Sequence, residues 1–145
     1  MGRREELLRE DDLAWITLME LLEPLPAEVV VAPGFTEDWT VKDFMAHLGC
    51  WMAQCAHVLE RIRLRTWQRT EVDVDAMNRL FYEACKDLDL VAVKVGLQSA
   101  RVRMLQEWYL LPEITQDADE WFRESGPEHI AEHLPDLERF VRDRS

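Results

Sequence analysis

The chain has four histidines, and two of them are spaced to bind one metal ion together. His129 and His133 are four residues apart, so on a helix both imidazoles project from the same side, one turn apart. A third imidazole from a facing helix would complete a three-ligand set, which with open positions is typical of catalytic zinc sites. Such a pair also arises easily on a solvated helix surface, so its spacing alone leaves both interpretations open.

The other two histidines share one predicted helix but face different directions. With about 100° of rotation per residue, His47 lies at the border of the apolar face. His57 lies about 280° from His47, on the polar side, and is predicted to be solvated. His47 is therefore the candidate third ligand. Three nitrogens at 2.0–2.1 Å from one zinc would lie within about 3–4 Å of one another, and nitrogen ligands alone do not select among zinc, nickel, iron and manganese.

The helix that carries His47 has a well-marked start. Thr40 is a good N-cap, and Asp43 three residues later completes a capping box with the shorter acid. Trp39 and Phe44 have the spacing of a hydrophobic staple, which would fix the angle at which the chain enters the helix. Trp51 follows His47 by about one turn and suits either core packing or a pocket wall.

Helical periodicity dominates the rest of the sequence. Prolines end the first segment, and a loop of about 15 residues leads to the second. A Ser125-to-Glu128 capping box, with proline in the first turn, predicts the start of the last helix. The predicted helices are Arg3 to about Leu22, Thr40 to about Arg65, Asp73 to Lys86, Asp87 or Asp89 to about Leu110, a short one over 117–123, and Ser125 to about Val141. We therefore expect a single all-α domain over residues 1–145, a four-helix bundle with one or two extra short helices.

Composition restricts the partners. The chain has 29 acidic and 17 basic residues, a formal net charge of -12 and a pI near 4.7. Nucleic acids and anionic membranes are therefore not expected as partners, because binding to either depends on clustered lysine and arginine. No signal peptide or membrane span is evident, so we expect a cytoplasmic protein. Cys50, Cys55 and Cys85 lack metal-binding spacing and are expected to be buried, reduced thiols.

Two segments together resemble a known family. The stretch from Trp39 to Trp51, WTVKDFMAHLGCW, resembles the second helix of the DinB-like superfamily, and the stretch from Glu128, EHIAEHLPDL, resembles its C-terminal helix. That superfamily includes the N-terminal domains of mycothiol-dependent maleylpyruvate isomerases and the colibactin self-resistance proteins. The resemblance implies a four-helix bundle in which His47, His129 and His133 hold a divalent metal ion. It also implies polar pocket residues in the middle of the chain, where Asn78 and Tyr82 lie.

The resemblance implies two alternative functions. The first is a metal-dependent enzyme acting on a small molecule, either a transferase or isomerase that uses a low-molecular-weight thiol such as mycothiol or bacillithiol, or a hydrolase. No catalytic base and no cofactor beyond the metal ion stand out. The second is a non-catalytic small-molecule-binding or stress-protection bundle with no obligatory metal. A homodimer is the usual assembly of the family, and an incidental set of histidines on a helical dimer is the third hypothesis.

Overall fold

The computed structural model describes residues 2–144, all of whose regular structure is helical. The helices are α1 (Arg3–Leu22), α2 (Ala27–Val30), α3 (Val41–Arg63), α4 (Val74–Cys85), α5 (Leu90–Leu110), α6 (Gln116–Ser125) and α7 (Pro127–Arg142). The predicted all-α bundle is confirmed, and the expected segment boundaries agree with the observed ones within a few residues. The single-turn helix α2 was not predicted, because four residues are too few to show a helical period.

Four long helices form the bundle, and the shorter ones lie around it. The most extensive packing is between α3 and α5, while α1 packs beside α7 and α6 lies against both α3 and α7. Apolar side chains from these helices fill one continuous core, which includes Leu18, Phe44, Leu48, Met104, Trp108, Phe122 and Leu137. In contrast α4 packs mainly on α3 and has no buried residue. Among the described residues, no helix has the length and hydrophobicity that a membrane span requires.

The predicted capping box at the start of α7 is wrong. Ser125 is instead the last residue of α6, and its buried side chain lies beside the Cys55 thiol. The Glu128 carboxylate accepts hydrogen bonds from Arg123 at 2.8 and 3.1 Å, so it does not turn back to cap the helix. Gly126 both ends α6 and begins α7, with Pro127 in the first turn where a missing N–H costs nothing.

The three cysteines are free thiols, as expected. Cys55 is fully buried, whereas Cys50 and Cys85 are half-buried and place their Sγ atoms 3.5 Å apart between α3 and α4. Burial raises the pKa of the Cys50 thiol to about 12, and the contact with Cys85 adds to the effect. A thiol with a pKa this high is almost entirely protonated near neutral pH and is therefore a poor nucleophile.

Candidate metal centre

The start of α3 determines where His47 lies. The Thr40 hydroxyl accepts a hydrogen bond from the Asp43 backbone N–H at 3.1 Å, and the Asp43 carboxylate accepts one from the Thr40 N–H at 3.0 Å. The predicted capping box is thus present in full. Phe44 is fully buried and stacks on Phe35 at 5.0 Å between ring centroids. His47 follows within the same first turns, so its direction is fixed by a helix start that cannot easily fray.

Removal of this cap should weaken the fold measurably. In Thr40→Ala the Asp43 N–H loses its acceptor, and we expect the free energy of unfolding to fall by about 1 kcal/mol. Urea denaturation followed by circular dichroism would measure the change. Thr17→Ala is a suitable control, since Thr17 is exposed in α1 and, within residues 2–144, its hydroxyl bonds only to the Leu13 carbonyl in its own helix. Equal losses in the two variants would contradict a specific role for the cap.

The structure brings His47, His129 and His133 together at the interface of α3 and α7. The Nε2 atoms of His47 and His129 are 2.9 Å apart, and one ligand nitrogen from each histidine lies within 4.8 Å of the others. Nitrogen ligands of one zinc ion would lie about 3–4 Å apart. Binding therefore requires the His47 and His129 nitrogens to move slightly apart and the most distant pair of nitrogens to approach by about 1 Å. His57 lies apart, exposed on the same helix, as predicted.

Aromatic side chains hold the histidine rings in place. Trp39 lies 4.7 Å from His47 between ring centroids, and Phe44 lies 5.4 Å from His133. The three imidazoles also contact one another edge to face, with centroid distances of 4.8, 5.0 and 5.5 Å. Rings packed on several sides lose little further freedom when they bind an ion, which is the condition for a preorganised site.

All three imidazoles favour the neutral form that metal ions bind. Burial lowers the pKa of His47 to about 4, with a further effect from the nearby His133. Burial also lowers the pKa of His129 to about 3, helped by the other two histidines. The pKa of His133 is lowered by burial as well, although Glu132 and Asp136 oppose the shift by their charge. Both acids therefore act on His133 through their charge, and among the described residues neither forms a hydrogen bond with a histidine ring.

These shifts predict that the metal-free protein is sensitive to mild acid. A histidine whose folded-state pKa is depressed contributes its full stability above the unfolded pKa of about 6.5 and loses it as the pH falls towards the folded value. His47 and His129 should each lower the free energy of unfolding by about 1–2 kcal/mol when the pH falls from 7 to 5, because the unfolded chain binds a proton at each histidine and the folded chain does not. Urea denaturation with chelator present at both pH values measures the loss. The His47→Gln/His129→Gln double variant should lose less, and an identical loss would refute the prediction.

The histidines open onto a cavity of about 640 Å³, which is within the usual size range of small-molecule sites. Trp51 forms part of its wall and donates a hydrogen bond from Nε1 to Asn78 Oδ1 at 2.8 Å. Asn78 thus lies in the cavity, as the resemblance implied, whereas Tyr82 lies outside it in a much smaller neighbouring crevice. The cavity lining is Trp39, His47, Trp51, Trp67, Arg69, Thr70, Val72, Val74, Asn78, Asp117, Glu120, Trp121, Glu124, Ser125, Glu128, His129, Glu132 and His133.

Comparisons of the chain with protein family models, with curated proteins and with solved structures found no match.

Sequence reasoning missed one whole wall of the cavity. The segment after α5 was predicted only as a short helix, yet α6 lines the cavity with one face that contains Asp117, Glu120, Trp121 and Glu124. The spacing of these residues, three and four apart, is a signal that they share a face. Trp67, in the loop between α3 and α4, also belongs to the lining and packs edge to face on Trp121 at 6.0 Å. Nothing in the loop sequence indicates that position.

Proposed function

We propose that this protein is a divalent-metal-dependent enzyme of the DinB-like superfamily that acts on a small molecule. The observation that supports the proposal best is the convergence of three imidazoles from two helices at one side of a cavity of about 640 Å³. Three neutral nitrogen donors, held by aromatic packing and without an acidic ligand among them, fit a zinc-like divalent ion. When bound, such an ion acts as a Lewis acid and lowers the pKa of a coordinated water or thiol.

The residues of the chain have separate roles in this proposal. His47, His129 and His133 hold the ion, and their packing against Trp39 and Phe44 fixes its place relative to the cavity. Because Trp51 donates a hydrogen bond to Asn78, the part of the cavity wall formed by α3 and α4 is also ordered, and it can orient a bound substrate. We propose a thiol-dependent transfer or isomerisation, or a hydrolysis, as the reaction class. The family resemblance of the two histidine segments supports this choice.

The alternative function is binding without turnover. The same cavity can sequester a small electrophile, and the histidines can then act as hydrogen-bonding groups. The contact of 2.9 Å between the Nε2 atoms of His47 and His129 supports this alternative, because one neutral imidazole can donate a hydrogen bond to another.

The test combines metal analysis with a screen for activity. Purified protein is dialysed against zinc, nickel, iron(II) or manganese, and metal content is measured per chain. The loaded and chelator-treated forms are then compared in conjugation assays with low-molecular-weight thiols and in hydrolysis assays with activated esters and amides. We expect about one ion per chain and an activity that chelator removes and added metal restores. Failure to bind any divalent ion at micromolar concentration would refute the metal-dependent enzyme and favour the binding function.

A further inference from the structure

The charges around the cavity are strongly asymmetric. Five carboxylates line it, three of them on α6 and two on α7, against one guanidinium. That guanidinium, Arg69, is already held by Asp117 at 2.8 Å and by Glu120 at 3.5 Å. Arg123, just outside the lining, pairs with Glu128 at 2.8 Å, so the remaining excess is three negative charges, and a divalent ion at the histidines would still leave one. The cavity therefore has a negative potential with or without the metal.

Two of these carboxylates have no cationic partner in the part of the chain that the structure describes. Glu124 and Glu132 take part in no ion pair within residues 2–144, whereas Glu128 is paired with Arg123. Both side chains are exposed at the cavity. Glu124 lies at the end of α6, and Glu132 lies in α7, just over one turn after its start. They are therefore available to a ligand without the loss of an existing contact.

The other notable feature of the lining is its four indole rings. Trp51 and Trp121 come from two helices, Trp39 and Trp67 come from two loops, and all four line the same cavity. The face of an indole attracts a cation through its quadrupole, and tryptophan is the best of the aromatic side chains for this contact. Aromatic faces together with carboxylates are the usual means by which proteins recognise organic ammonium groups. Apart from a metal ion, a site for carboxylate- or phosphate-bearing ligands relies on arginine or lysine, and the one arginine of this lining is already paired.

We propose that the cavity beside the histidines selects a small organic cation, an ammonium group on a short apolar body. That this cation is the substrate rests on the proposed function. The preference for a cation does not, because it follows from the side chains that line the cavity. If the reaction is thiol-dependent, the thiol or its acceptor carries an amine in place of free carboxylates. Trp121 and the indoles beside it contact the apolar body, and Glu124 and Glu132 face the ammonium group.

The test uses three probes of similar size and different charge. These are 2-phenylethylammonium, 3-phenylpropanoate and the neutral 2-phenylethanol, titrated at constant ionic strength into nitrogen-15-labelled protein. The six tryptophan indole N–H signals report binding site by site, because four of the tryptophans line the cavity and Trp15 and Trp108 do not. We expect the four cavity signals to shift with the ammonium probe, whose affinity should exceed that of the carboxylate by about tenfold or more.

Matched variants separate the cavity from the general charge of the protein. Glu124→Gln/Glu132→Gln should weaken ammonium binding several-fold, whereas Glu10→Gln/Glu138→Gln removes the same charge from exposed positions outside the lining and should have little effect. Equal affinity for the two charged probes, no ammonium binding at millimolar concentration, or equal losses in the two double variants would overturn the proposal.

Titration with zinc and with chelator distinguishes this proposal from the proposed function. A charge preference without metal binding refutes only the proposed function, and metal binding without the preference refutes only this inference.

Discussion

The His129→Ala variant is expected to lose high-affinity binding of divalent metal. His129 and His47 form the closest pair of the set, with their Nε2 atoms 2.9 Å apart. Its removal leaves two imidazoles, a set that cannot compete with water and buffer for the ion as three can. Loss of a residue that only supports a ligand typically costs 10–100-fold in metal affinity, so loss of the ligand itself should cost at least about 100-fold.

The measurement is a competition titration of zinc against a chromophoric chelator, together with thermal unfolding with and without zinc. Zinc at about 100 times its dissociation constant should stabilise the wild-type protein by about 2.7 kcal/mol, and His129→Ala should show almost none of this gain. His57→Ala is the matched control, since His57 is an exposed histidine on α3 outside the cluster. Unchanged zinc affinity in His129→Ala would contradict the assignment of all three ligands.

A metal-free His129→Ala protein should nevertheless fold. His129 is half-buried with a strongly depressed pKa, so it contributes a largely desolvated polar ring and not a stabilising charge. Alanine has a better helix propensity than histidine, which offsets part of the packing that is lost. A folded variant without metal affinity would distinguish the loss of a ligand from the loss of the fold, and circular dichroism with a urea titration decides between them.

The sequence was sufficient for the parts of the site that depend on local signals. The Thr40 capping box and the apolar period of α3 predicted the direction of His47, and the observed position agrees. The four-residue spacing of His129 and His133 depends only on helix geometry. That His47 would meet them across the helix interface was implied by the family resemblance, because no local pattern specifies which helices face each other.

The remainder depends on contacts between distant segments. Ser125 looked like an N-cap because its own sequence neighbourhood is that of a cap, but burial beside Cys55 favours its retention in α6. The α6 face that lines the cavity is determined by how α6 packs against α3 and α7, which the sequence of α6 alone does not specify. The loop residue Trp67 reaches the cavity through its packing on Trp121, a contact between residues far apart in sequence. Local propensity carries no information about such contacts.

The close approach of α1 to the joint between α6 and α7 leads to the second large prediction. A Cβ atom added at Gly126 would lie 2.6 Å from Asp11 Oδ1 and 3.0 Å from the Phe122 carbonyl oxygen. The Asp11 carboxylate is fully buried and accepts a hydrogen bond from Arg101 at 3.1 Å, so it has little room to move. Burial raises the pKa of Asp11 to about 6, against the opposing effect of Arg101. Only glycine therefore fits between α6 and α7 without a shift of Asp11 or of the end of α6.

We expect Gly126→Ala to lower the free energy of unfolding by about 1–3 kcal/mol, as overpacked sites do. Gly96→Ala is the matched control, because Gly96 lies within α5 and a Cβ there meets no atom within 4 Å. That change should stabilise the protein by about 0.5–1 kcal/mol, the difference in helix propensity. Urea denaturation of both variants measures the two opposite shifts, and a loss of stability in both would show that crowding at Gly126 is not the cause.

The same substitution should also weaken zinc binding, because His129 is only three residues beyond Gly126 in the first turn of α7. A shift of that turn changes the separation of the His129 and His47 nitrogens, which the ion requires to be about 3–4 Å.

Removal of the obstructing Asp11 carboxylate tests the physical cause. In the Asp11→Ala/Gly126→Ala double variant the added methyl has space, so its combined destabilisation should be smaller than the sum of the two single losses. If the stability losses of the two single variants simply add, the strain lies elsewhere. If zinc affinity recovers in the double variant, the contact between Asp11 of α1 and the start of α7 sets the position of His129.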